Sequence, residues 1–180
     1  AAFYLTELNV KGRDDFGWSV KQALLCVEDV FYRFEACRGV DYEKHTRKLS
    51  RLIFQVPRRS DLPAAERGVD EGVATANGVK FAKDLGNLPG NICTPTYLAE
   101  QAMALSERQS TVKTQVLEEA DMEALGMGAL LGVSRGSRQP AKLIVMEYMA
   151  GAKNAKPIVL VGKGVTFDAG GISLKPGAAM

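Results

Sequence analysis

Histidine, cysteine and long apolar runs are all scarce in this sequence, and each scarcity excludes a class of protein. The single histidine, His45, lies in the basic stretch KHTRKLSR, where an exposed polar residue is expected. A Ser-His-Asp hydrolase and a zinc site of the HExxH type both need histidine in a different context. Any catalysis must therefore use carboxylates, lysines or a metal held mainly by oxygen.

The three cysteines, Cys26, Cys37 and Cys93, are odd in number and contain no Cys-x-x-Cys pair. We therefore expect no disulfide framework and a reducing compartment, so the predicted location is the cytoplasm. The longest aliphatic runs have only about four residues, whereas a membrane helix needs about 18. With no secretory signal pattern either, we expect a soluble protein without a membrane partner. The chain does not begin with Met, which indicates processing or a fragment.

Neither sign of charge dominates, because 23 Lys and Arg stand against 21 Asp and Glu, for a formal charge of +2. No global field therefore directs the chain toward nucleic acid. The one strong local bias lies between residues 44 and 59, which hold six basic residues and no acidic one. We expect a solvated edge or an interface rim there, and an anion or nucleic-acid contact is the alternative. The six residues are Lys44, Arg47, Lys48, Arg51, Arg58 and Arg59.

Hydrophobic periodicity and turn residues predict an α/β protein. A smaller, partial amino-terminal α/β domain (1–59) is joined by a long connecting helix (60–86) to the start of a larger α/β domain (87–180) with a mixed, largely parallel sheet. Glycines 68, 72 and 78 inside the long helix predict close packing against another backbone or a break. The predicted helices are 16–35, about 60–85, 95–107, 118–125 and 128–133, and the predicted strands are 49–56, 112–117, 142–147 and 157–161, the last buried on both faces.

Candidate chemistry lies after the apolar segment 157–161, because ligands gather at the carboxyl ends of strands in such sheets. Five glycines fall between Gly162 and Gly177, which predicts tight turns or a close backbone approach. Lys163 directly ends the predicted buried strand, so its amine must be paired, or be deprotonated and bound to a cation. A P-loop and a dinucleotide-binding loop are both excluded, because Pro157 and Phe167 stand where each pattern requires glycine.

Two stretches resemble the leucyl aminopeptidase family, the cytosol aminopeptidases, in its bacterial form. GKGVTFDAGGISLKPG (162–177) is similar to the metal-site loop of that family, and KDLGNLPGNICTPTYLAEQA (83–102) is similar to the start of its catalytic domain. The resemblance implies a dinuclear metal-dependent aminopeptidase that removes a leucine-like amino-terminal residue from peptides. It also implies a homohexamer, with manganese or zinc as the metal and bicarbonate as a further cofactor of the full-length protein.

Three residues of this sequence match functional positions of the family. Lys163 matches a lysine that binds one of the two metals through its neutral amine, and Asp168 matches a carboxylate that contacts the metals. Lys175 matches the catalytic lysine, which stays charged and stabilises the oxyanion of the tetrahedral intermediate. An ion pair that merely closes a glycine-rich turn is the alternative for these residues.

Two departures from the family pattern matter. Ala169 stands where many relatives have Ser, which leaves the metal ligands in place. The other metal carboxylates and the bicarbonate-binding arginine of the family fall beyond Met180, so we expect the chain by itself to be an inactive interior piece. A DNA-binding architectural or regulatory protein, which uses the basic run, is the alternative function, and an inactive paralogue is a third.

Overall fold

The computed structural model describes residues 2–3, 10–12, 15–39, 49–167 and 176–179. The chain divides into two compact units, of which the first ends at Asn87 and the second begins at Leu88. In chain order the elements are β1 (Ala2–Phe3), α1 (Phe16–Phe31), β2 (Ile53–Phe54), α2 (Leu62–Asn87), α3 (Pro95–Arg108), β3 (Val112–Leu117), α4 (Glu119–Ala124), α5 (Gly128–Ser134) and β4 (Leu143–Tyr148).

The first unit is built on the packing of α1 against α2. Asp15 caps α1 by accepting a hydrogen bond from the Gly17 N–H at 2.9 Å. The apolar face of α1 then buries Val20 and Leu24, which are 1% and 7% exposed. The amphipathic helix predicted from residue 16 is therefore confirmed, although it ends at Phe31 rather than at 35.

Glycines let the backbones of α1 and α2 approach each other closely. A Cβ at Gly68 would overlap the Gly17 carbonyl oxygen, and a Cβ at Gly72 would lie 3.3 Å from the Leu24 side chain. The close packing predicted for these two glycines is confirmed, whereas the alternative of a helix break is wrong, because α2 is continuous. Gly78 has no atom within 4 Å of its Cβ position, so packing does not explain it.

The second unit centres on an antiparallel pair of strands, joined through α4 and α5 and covered by α3. The strands β3 and β4 pair antiparallel from Val112 opposite Tyr148 to Leu117 opposite Leu143. Thr94 caps α3 by accepting from the Tyr97 N–H at 3.2 Å, and Pro95 follows at the first helical position, as the sequence predicts. Met122 of α4 is fully buried beside this layer.

The strands differ more from prediction than the helices do. The predicted strand 49–56 forms only at Ile53–Phe54, where it pairs in parallel with β1. Segment 157–161 is not a strand, and its apolar side chains are exposed, with Leu160 at 92%. The predicted buried strand is therefore wrong for this structure, because no strand among the described residues pairs with its edges. The mixed α/β class holds, and the largely parallel sheet stays a prediction.

The cysteines and the helices bear on two further expectations. All three cysteines are free thiols, with Cys26 and Cys37 exposed and Cys93 buried. Burial raises the pKa of the Cys93 thiol above its ordinary value.

Among the described residues no helix is both long and apolar enough to cross a membrane.

We predict that Met122→Ala destabilises the second unit by about 2–5 kcal/mol, because it deletes a fully buried side chain and leaves a cavity. Urea unfolding followed by circular dichroism measures the change. Met149→Ala is the matched control, since Met149 is 66% exposed, and its expected effect is below about 0.5 kcal/mol. Equal losses in the two variants would show that Met122 does not belong to the core.

We also predict that a thiol reagent modifies Cys26 and Cys37 of the folded protein well before Cys93. The buried Cys93 thiol is shielded from the reagent, and its raised pKa lowers the fraction of reactive thiolate. Peptide mass spectrometry after timed alkylation gives the order of reaction. Labelling in denaturant, where all three should react together, is the control, and early modification of Cys93 in the folded protein would contradict the prediction.

Candidate functional site

Lys163 lies in an extended, exposed segment that begins after the surface turn at Lys153–Asn154. The Val165 N–H donates to the Lys163 carbonyl at 3.1 Å, which makes a tight local turn from Lys163 to Val165. The Lys163 side chain is exposed, so the predicted burial of its amine is wrong for this structure. Because the preceding segment forms no strand, no sheet among the described residues surrounds the lysine with apolar side chains, and its amine is accessible to a ligand.

The other two predicted site residues, Asp168 and Lys175, lie outside the described residues, as does Ala169. Of the three, the structure therefore places only Lys163. On either side of that gap, Phe167 is 74% exposed and Gly177–Ala179 forms a short 3₁₀ turn. The roles of Lys163, Asp168 and Lys175 stay predictions from the sequence.

One contact brings together the two stretches that carry the family resemblance. The turn at the start of the second unit is closed by the Ile92 and Cys93 N–H groups, which both donate to the Pro89 carbonyl at 2.9 Å. Gly90 in this turn lies against the backbone of Thr166, such that a Cβ at Gly90 would be 2.6 Å from the Thr166 carbonyl oxygen. Thr166 lies three residues after Lys163 and two before Asp168, so the turn supports the chain within the candidate site.

Both stretches stand out in the sequence, but nothing in the sequence predicts that they touch. Asn87–Asn91 could be identified from its Pro-Gly pair as a turn, which is a local property. Its contact with Thr166 joins positions far apart in the sequence, and one sequence carries no signal for such a pairing. The contact of Gly90 with Thr166 is therefore the feature near the site that the sequence alone does not predict.

The donor atoms available near Lys163 determine how much of a metal site the chain can supply. The described residues contain no group of three or more His, Cys, Asp or Glu side chains that could hold a metal ion. Lys163 offers one nitrogen, and Asp168 adds carboxylate oxygen in the sequence two residues after Thr166. A divalent ion usually takes four to six or more ligands, so these two residues fit part of a site and not the whole.

The basic run is visible in part. Arg51, Arg58 and Arg59 are exposed, whereas Lys44, His45, Arg47 and Lys48 lie outside the described residues. Exposed arginines are expected both at a solvated edge and at a site that contacts an anion. Their exposure therefore does not distinguish between these two interpretations of the basic run.

Comparison with known proteins supports the resemblance seen in the sequence. A family described as "Cytosol aminopeptidase family, catalytic domain" matches residues 80–180. Proteins described as "Probable cytosol aminopeptidase" from Thioalkalivibrio sulfidiphilus and Nitrosomonas europaea are 56% and 53% identical to this chain. The matches cover 100% and 98% of this chain but only 36% and 35% of those proteins.

A solved structure, "Bottromycin maturation enzyme BotP in complex with Mn", is similar to this chain in fold. The TM-score is 0.72 at 28% identity, and the match covers 98% of this chain and 34% of the other. The chain thus spans about a third of the length of the relatives it matches. The matched region includes Lys163, Asp168 and Lys175. On the family match over 80–180, this chain belongs to the cytosol aminopeptidase family.

Proposed function

We propose that the full-length protein containing this chain is a metal-dependent aminopeptidase that removes the amino-terminal residue of peptides. The observation that carries this proposal is the family match over residues 80–180, which includes all three predicted site residues. The relatives described as cytosol aminopeptidases extend that similarity over the whole chain.

Lys163 and Asp168 are the residues of this chain that would hold metal. The exposed Lys163 side chain gives its amine access to an ion, and it donates a lone pair only as the neutral amine. Asp168 would supply hard carboxylate oxygen, a ligand type that suits manganese and magnesium as well as zinc. A bound dication in such a site polarises the scissile carbonyl and lowers the pKa of water. Two metals per subunit would need further carboxylates from outside this chain.

Lys175 has a different role in the proposal. As a cation it stabilises the negative charge that develops on the carbonyl oxygen when the peptide bond is attacked. Lys163 and Lys175 therefore act in opposite protonation states, since a metal ligand must be neutral and an oxyanion partner must be charged. Their different surroundings would set this difference, with a dication beside one and carboxylates around the other.

Manganese is the first metal to test, because the similar structure of BotP is described as a complex with Mn. Zinc is the second, and bicarbonate belongs in the assay as the further cofactor proposed. A preference for leucine-like first residues, a homohexameric assembly and a cytoplasmic location complete the proposal. The first two come from the sequence resemblance and the third from the cysteine pattern, and membership of the family supports all three. DNA binding is not proposed, because the exposed arginines of the basic run fit a solvated edge equally well.

We predict that the full-length protein hydrolyses leucine p-nitroanilide when manganese or zinc is added. Lys175→Ala should lower kcat about 10²- to 10³-fold, as loss of an oxyanion partner does, while metal content stays unchanged. Asp168→Ala and Lys163→Ala should lower metal content as well as activity, because each removes a ligand. Steady-state kinetics and metal analysis of the same dialysed samples separate the two kinds of loss.

Lys153→Ala is the matched control, since Lys153 is an exposed lysine in the same unit, ten residues before Lys163. It should keep both activity and metal. A folded, metal-loaded parent that cleaves no aminoacyl substrate would refute the proposed activity. Retention of full activity by Lys175→Ala would refute the assigned role of Lys175 and leave the activity itself intact.

A further inference from the structure

The packing of α2 against α1 buries more apolar surface near the start of α2 than near its end. The buried residues of α2 are Ala65, Gly68 and Gly72, all in its first half. From Val73 to Asn87, all of which the structure describes, no residue is buried. The hydrophobic effect therefore fixes the start of α2 on α1 and contributes much less to its end.

The second half of α2 is also a weak helix by its own composition. Gly78 and Gly86 lie in it, and neither has an atom within 4 Å of its Cβ position, so no close packing requires them. Glycine is unfavourable in a helix interior because the free chain has more conformations to lose. Nevertheless α2 stays helical through Asn87. Its apolar burial is limited to half-buried side chains such as Phe81 and Leu85, so polar contacts have a larger share in holding its end.

A polar cluster joins the two helices at that end. Tyr32, the residue after α1, donates its hydroxyl hydrogen to Asp84 Oδ1 at 2.9 Å and accepts from Asn87 Nδ2 at 3.0 Å. Lys83 of α2 forms an ion pair with Asp29 of α1. The same ammonium lies 5.0 Å from the centre of the Tyr32 ring, within the range of a cation–π contact.

The position of the cluster gives it a role. Asn87 is the last residue of α2 and of the first unit, and the chain passes into the second unit at Leu88. We propose that Asp29, Tyr32, Lys83, Asp84 and Asn87 form a latch that holds the last turn of α2 on α1, at the point where the first unit ends. This inference is independent of the proposed function, because no residue of the latch takes part in the proposed chemistry.

The Tyr32 hydroxyl is the centre of the latch, because it bonds two residues of α2 at once. Partial burial raises the pKa of Tyr32, which the hydrogen bond from Asn87 opposes and the Asp84 carboxylate reinforces. The hydroxyl therefore keeps its proton and remains a donor to Asp84 at physiological pH. Without it, only the Lys83–Asp29 ion pair of the latch still joins the end of α2 to α1, and the last turn opens more readily, as helix ends commonly do.

Amide hydrogen exchange of the full-length protein, read by mass spectrometry, tests the latch. Tyr32→Phe removes only the hydroxyl and keeps the ring below Lys83. Exchange over residues 81–90 should become about tenfold faster, the change expected for the loss of one or two hydrogen bonds. Exchange in the first half of α2 should not change. Asp84→Ala should give the same local increase, even though alanine is the better helix former.

Tyr148→Phe is the matched control, because Tyr148 is 67% exposed on β4 in the other unit. Unchanged exchange at 81–90 in the control, with a local increase in Tyr32→Phe and Asp84→Ala, supports the latch. Two results would overturn it. One is parental exchange at 81–90 in Tyr32→Phe, and the other is an increase spread evenly over α1 and α2, which indicates general destabilisation.

Discussion

An apolar segment is stable in water only where other elements of the protein cover it, and this requirement shapes every part of the chain. In the first unit, the packing of α1 against α2 covers Val20 and Leu24. In the second unit, the layer around Met122 covers that side chain. Segment 157–161 does not meet it among the described residues, since its aliphatic side chains face solvent. The candidate site begins at the end of this segment. The conformation of the site therefore depends on whatever pairs with and covers 157–161.

The same requirement explains which elements could be predicted from the sequence. Helices α2 and α3 were predicted within two residues, because their signals are local: a cap at Thr94 and a proline after it for α3, and a long stretch rich in Ala, Val, Glu and Lys for α2. The strands Val112–Leu117 and Leu143–Tyr148 were predicted within one residue, because each is a short run of strand-forming residues that finds its partner in the same unit. Segment 157–161 has the composition of a buried strand, but composition does not supply the neighbouring strands that burial needs.

The candidate site shows the same division between local and non-local information. The Gly-Lys-Gly stretch and the spacing of Lys163, Asp168 and Lys175 stand out in the sequence, but the roles of these residues come from the family resemblance and stay predictions. The surroundings of Lys163 could not be predicted, because burial of its amine was inferred from a strand that the described residues do not form. The close contact of Gly90 with Thr166 could not be predicted either, because the sequence around each residue indicates only its local turn.

The approach of Gly90 to Thr166 also bears on the order in which the second unit folds. The contact closes a loop of about 75 residues, whereas α3, β3, α4, α5 and β4 are joined through much shorter loops. Closing a longer loop costs more chain entropy, and contacts of large sequence separation slow folding. We therefore expect the layer of β3, β4 and α3 to form first and the Gly90–Thr166 contact to form on it. The segment leading to Asp168 would then be the last part of this unit to acquire its native surroundings, after the core that supports it is complete.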